Sequence, residues 1–166
     1  MNEESDEKID DAMLSLLADG LEPAAPDPAV RARLLAALHG SERLAPFAAE
    51  AARAFGVELG AMREALARVN DASAWLPGFW PGSRLLITPQ LMRAQTVISE
   101  LPPGIRIPRH RHGGRELTYV LDGVLVENGS LRHGAGALLD MPGGSEHEVS
   151  VPDDSECLVV FASFQA

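Results

Sequence analysis

The sequence of 166 residues predicts an α+β protein, with a small N-terminal helical region followed by a strand-rich C-terminal half. Three observations carry that reading. Up to about residue 70 the apolar side chains recur at helical spacing, and beyond residue 84 they alternate with period two between Gly, Pro and Asn turn signals. The second half also holds two stretches rich in His and Gly whose spacing suits a metal cage. The expected divisions are 1–70 for the helices, 71–83 for a connector and 84–166 for the β domain.

Residues 1–11, MNEESDEKIDD, are too acidic to bury, so the first several are expected to be disordered or only lightly attached. Ile9, Ala12, Met13, Leu16 and Leu17 then mark one face of a short helix that Gly20 ends. After the EPAAPDP linker, Asp27 caps a second helix with Pro28 at its first position, and Val30, Leu34, Ala37 and Leu38 form its stripe. His39 reads as a C-terminal helix residue favoured by the dipole. Pro46 falls in the first turn of a third helix, lined by Phe47, Ala51, Ala54 and Phe55 and stopped at Gly56. Leu59, Met62, Leu66 and Val69 carry a fourth, which should pair with the third as a hairpin. None of these helices clusters titratable groups, so no chemistry is expected there.

The connector DASAWLPGFWPGS holds Trp75 and Trp80 and two Pro-Gly pairs. Its aromatics suit either a seal between helices and sheet or the lining of a mouth, with burial the commoner fate. Strands are expected near 84–88 and 92–100, with Pro102-Pro103 as a break. Asn128-Gly129 signals a hairpin that sets Val124 to Glu127 beside Ser130 to Arg132, leaving His133 most simply as a solvent-facing loop residue, with a place near the metal mouth as the alternative. The apolar run from Glu156 to Ser163 reads as a deeply buried last strand.

The stretch GIRIPRHRHGGRELTYVLDG is the centre of the second half. On an extended segment, His110 and His112 project to one face, so their nitrogens can converge on one ion. Gly113-Gly114 turns the chain, and Glu116 opens a strand in which Glu116, Thr118 and Val120 alternate with Leu117, Tyr119 and Leu121. In that alternation Tyr119 points outward. A fourth ligand comes from GALLDMPGGSEH, where a Pro-Gly turn presents His147 at the start of a strand. Three nitrogens and one oxygen suit Zn²⁺, Fe²⁺, Mn²⁺, Co²⁺ or Ni²⁺ and argue against Ca²⁺ and Mg²⁺.

The two stretches resemble the paired motifs of the cupin family and match at every metal-ligand position. The resemblance implies a double-stranded β-helix barrel of the jelly-roll type over about 81–166. The asparagine that often follows the second motif's His by four residues is Val151 here. Among cupins, HRHGGRELTYVLDGVL, HGAGALLDMPGGSEHEVSV and DDSECLVVFAS are similar to the C-terminal domain of ChrR-type anti-sigma factors. Those are zinc proteins that hold a sigma factor inactive until an oxidative signal arrives. The likeness implies zinc on His110, His112, Glu116 and His147, matches Cys157 to a family cysteine, and suggests a sigma-factor partner. It fails in the first 80 residues, which contain no Cys and one His, so the family's His-x3-Cys-x2-Cys zinc motif is absent.

Cys157 is open to two readings, a small core hydrophobe or a redox-active thiol. A formal charge of −10 argues against general affinity for nucleic acid or anionic membranes and is compatible with a basic protein partner. No run approaches the roughly 18 apolar residues that span a bilayer, the N-terminus is acidic, and a single Cys agrees with a reducing compartment, so a cytoplasmic protein is expected. A barrel with edge strands suggests a homodimer. Three functions follow: a metal-binding sensor of the ChrR-like kind, an Fe²⁺ dioxygenase or metal-assisted isomerase, and a small-molecule binding module with a structural metal. For the enzyme, Glu100 or Glu146 could serve as acid or base if they point into the barrel.

Overall fold

The computed structural model describes residues 27–164, so the expected acidic start and the helix over Ile9 to Leu17 lie outside the described residues. The chain divides into two compact units, residues 1–36 and 37–166.

Helix α1, Pro28–His39, begins where its local signals put it. Asp27 Oδ1 accepts from the Ala29 amide at 2.7 Å, satisfying one of the donors that a helix start leaves free. Of its expected stripe, Val30 and Leu34 are exposed, Leu34 at 61%. The cap and the Ala, Leu and Arg content support this helix locally, so its existence does not depend on covering that face.

In the second unit a 3-10 segment, Ser41–Phe47, runs into α2, Ala48–Phe55. Pro46 therefore lies inside the 3-10 turn and not in the first turn of the α-helix. Gly56 ends α2 in the left-handed conformation, and Glu58 caps α3, Leu59–Ala67, by accepting from the Gly60 amide at 3.3 Å. Ala51, Ala52 and Phe55 of α2 and Met62, Ala65 and Leu66 of α3 are buried in one core.

Strands β1, Trp75–Pro77, and β2, Arg84–Leu86, follow; β1 extends the predicted sheet into the connector. The strand expected near 92–100 is shorter, β3 at Thr96–Leu101, because a small helix α4, Pro89–Arg93, precedes it. Thr88 Oγ1 caps that helix from the Leu91 amide at 3.2 Å, with Pro89 in its first turn. The remaining strands are β4, Arg106–Arg111; β5, Glu116–Asp122; β6, Val124–Glu127; β7, Leu131–Gly134; β8, Leu138–Met141; β9, Glu146–Ser150; and β10, Cys157–Ser163. Asn128 and Gly129, both at positive φ, turn β6 into β7, with Glu127 opposite Leu131.

The strands form two antiparallel sheets, β1-β2-β3-β10-β5-β8 and β4-β9-β6-β7. Chain connectivity crosses repeatedly between them, as in a double-stranded β-helix. Period two then divides the core. On β10, Leu158, Val160 and Ala162 join the core with the helices, whereas Cys157, Val159 and Phe161 join a second core drawn from both sheets. That double burial explains why the last strand is apolar without alternation. On β5, Val120 belongs to the intersheet core and Leu117, Tyr119 and Leu121 to the other. Tyr119 points off the barrel interior, as its phase requires, yet is only 1% exposed. Its hydroxyl donates to Glu50 at 3.2 Å and its ring meets Phe47 edge-on.

Candidate metal centre

His110 on β4 lies directly opposite His147 on β9. Getting it there takes a register shift: Ile107 pairs with Val149, so three steps along β4 match two along β9. The extra residue falls at Pro108–Arg109, and a proline, lacking an amide donor, is tolerated at such a bulge. The bulge also changes the phase. Without it, Ile107 and His110 would face opposite sides; with it, both line the same interior cavity. The bulge carbonyl of Pro108 lies 2.9 Å from His110 Nδ1, which leaves Nε2 free to point elsewhere.

His112 continues from β4 alongside the turn before β9, its amide bonded to Ser145 O and its carbonyl accepting from Gly144. Glu116 comes from the opposite sheet, as the first residue of β5. The three imidazole rings stand 4.7 to 4.9 Å apart, centroid to centroid. Glu116 lies 3.3 Å from His112 Nδ1 and 3.9 Å from His147 Nε2. One ligand atom from each of the four residues falls within 4.8 Å of all the others. The Nε2 atoms of His112 and His147 are buried and lack a hydrogen-bond partner. Orphaned buried nitrogens beside a carboxylate are costly in a folded protein unless a cation completes them, so the residues fit a divalent transition ion.

Burial lowers the His147 pKa from its ordinary value, and the neighbouring His112 and His110 add to this; the Glu127 hydrogen bond opposes it. The neutral ring is the form that ligates.

Glu127 is the residue that sequence reasoning missed. It is a buried carboxylate at the end of β6, with Oε1 3.2 Å from His147 Nδ1 and Oε2 3.0 Å from His133 Nε2. The signal was present: Glu127 shares strand phase with the interior residue Leu125, an inward position rarely given to an unpaired acid. His133 is accordingly a half-buried residue of β7 tied to the centre, not the expected solvent-facing loop residue. Glu100 pairs with Arg84 and Glu146 approaches Arg109, so neither points into the barrel. His39 is the last residue of α1. Cys157 is fully buried in the intersheet core, and burial pushes its thiol up to about 12. That environment suits a packing residue and suppresses the thiolate.

A cavity of about 280 Å³ adjoins the cluster, with His110, Glu116 and His147 in its wall. Most of the rest is apolar, including Leu101, Ile107, Leu125 and Phe161. Phe79, 72% exposed, and Trp80 also line it and so stand at its opening. Trp75 takes the other expected role, packing on the helical core with its indole donating to Val69 O at 3.0 Å.

An antiparallel double-stranded β-helix with His, His, Glu and His converging inside it defines a cupin with a candidate metal centre. A profile of the ChrR cupin-like domain matches residues 64–165, and the chain belongs to that family. Among solved structures, Rhodobacter sphaeroides SigE in complex with the anti-sigma ChrR is 23% identical, covering 93% of this chain and 76% of that one, with a TM-score of 0.49. A protein with a cupin-like fold from Ralstonia eutropha JMP134 is 28% identical over 40% of this chain and 43% of its own, with a TM-score of 0.38. A predicted oxalate decarboxylase from Thermotoga maritima is 24% identical over 49% of this chain and 81% of its own, also at 0.38. No curated protein matches the sequence.

Proposed function

We propose that this protein is a metal-binding regulatory cupin of the ChrR-like kind, an anti-sigma factor or a descendant of one. The observation that carries the reading is the meeting of His110, His112, Glu116 and His147 in a chain of this family. When bound, a divalent ion, zinc by preference for three imidazoles and a carboxylate, supplies a cross-link between the two sheets. The chain's own part is to hold neutral rings and one carboxylate facing each other across the barrel. Loss of the ion from those ligands then alters how tightly a partner is held. The partner would be a sigma factor, whose basic DNA-binding surface a chain of net charge −10 complements. With no His-x3-Cys-x2-Cys motif in the first 80 residues, any grip on it comes from helical faces without a second zinc. The protein is proposed to act in the cytoplasm, as a homodimer.

Coexpression with a sigma factor encoded beside it tests this. The expected result is a copurifying complex containing one zinc per cupin chain, released by a strong chelator. A zinc-loaded protein that ignores the sigma factor refutes it.

A second reading, an Fe²⁺ dioxygenase or isomerase, draws on the apolar cavity beside the ligands, which would seat a small apolar molecule. Besides the ligands, Ser99 and Thr118 are the polar side chains in its wall, so the chain offers little for proton transfer. Oxygen consumption by the iron-loaded protein with small apolar ketones or acids would favour it.

A further inference from the structure

Beside the four candidate ligands stand a further buried acid and a further histidine, Glu127 and His133. Strand register brings them to the centre. Glu127 on β6 pairs with Val149 on β9 and with Leu131 on β7, so residues two steps from those partners share its face. They are His147 and His133. The result is a line across three neighbouring strands, His147 to Glu127 at 3.2 Å and Glu127 to His133 at 3.0 Å. A carboxylate has acceptors only, so each ring nitrogen that faces it must carry the proton. His147 then donates from Nδ1, and its lone pair sits on Nε2, the buried nitrogen without a protein partner.

We propose that Glu127 is a positioning residue of the metal centre that locks His147 in the Nδ1–H tautomer, with His133 anchoring the other oxygen of the same carboxylate. The proposal rests on the metal reading above. It differs from a plain structural ion pair in one respect: the direction of the His147 hydrogen bond decides which nitrogen is available to an ion. An uncharged acceptor of the same shape keeps that direction, whereas removing the acceptor frees the ring to change tautomer or turn. His133 acts one step further out, by denying Glu127 other orientations.

The experiment uses the full chain with Zn²⁺ and a competing chelator as the probe, with circular dichroism to confirm that each variant is folded. Glu127→Ala is expected to weaken zinc about 10- to 100-fold, His133→Ala by less, and Glu127→Gln to restore most of the loss. Nitrogen-15 shifts of the metal-free protein should show His147 as the Nδ1–H form in the wild type and as a mixture in Glu127→Ala. Zinc affinity in Glu127→Ala equal to wild type, or a wild-type His147 protonated on Nε2, overturns the proposal. A wild type that takes up no divalent ion overturns the metal reading instead, and the tautomer measurement then decides the role of Glu127 by itself.

Discussion

Glu116 is the only one of the four candidate ligands on the six-stranded sheet; His110 and His147 lie on paired strands of the other, and His112 directly follows β4. An ion held by all four therefore ties the two sheets together, and its binding energy becomes folding energy. At free zinc 100-fold above the dissociation constant, native-state binding adds about 2.7 kcal/mol. For a unit of this size that raises the melting temperature by roughly 10 °C. Glu116→Ala leaves three imidazoles on one side and removes the only oxygen. If the affinity falls about 100-fold, the same zinc concentration adds only about 0.4 kcal/mol, a rise of roughly 1 to 2 °C. Differential scanning calorimetry of both proteins, with and without zinc, measures the two increments. Equal increments would show that Glu116 is not a ligand, and no increment in the wild type would remove the cross-link altogether.

Three further outcomes follow from the geometry. Cys157, buried and with its thiol pushed up to about 12, should resist thiol reagents at neutral pH until the protein is unfolded in denaturant; rapid labelling of the native state would contradict its packing role. Gly123 sits at φ +77, where an added Cβ would run into the Glu156 carbonyl and crowd Cys157 Cα, so Gly123→Ala should cost more than about 2 kcal/mol. A urea midpoint unchanged by the substitution would refute this. Tyr119, the single tyrosine, has its phenol raised above the ordinary value by burial and by Glu50. Because the fold favours the neutral phenol, its contribution is intact below about pH 10 and is lost as the pH climbs past that value, where the unfolded chain ionises first. Absorbance near 295 nm should accordingly show phenolate appearing only above that range and together with unfolding; reversible ionisation at pH 10 in the native state would argue against the Glu50 contact.

How much of the centre could be read without coordinates depended on how local each cause is. The four groups that meet were legible because strand alternation and Gly or Pro turns act over a few residues: His110 and His112 are two apart, and the turn ending at Gly144 leads into His147. Caps are local too, so α1 was placed from Asp27 and Pro28, and the hairpin from Asn128-Gly129. The short helix after Thr88 had the same kind of signal in Thr-Pro, but a strand was read across it.

What the amino-acid sequence determined by itself was a helical part followed by a strand-rich part, the caps and turns that bound several of their elements, and the four groups able to hold an ion. Tertiary structure alone decided that the bulge at Pro108–Arg109 puts Ile107 and His110 in phase, that Glu127 reaches both His147 and His133, and that Tyr119 is covered by the segment around Phe47 and Glu50. It also left the face of α1 with Val30 and Leu34 exposed, although its period matched a buried helix. The reason is the range of the forces involved. Period and capping are set by neighbours in the chain, whereas register, bulges and the pairing of distant acids with imidazoles are set by which strands meet, and no local pattern records that.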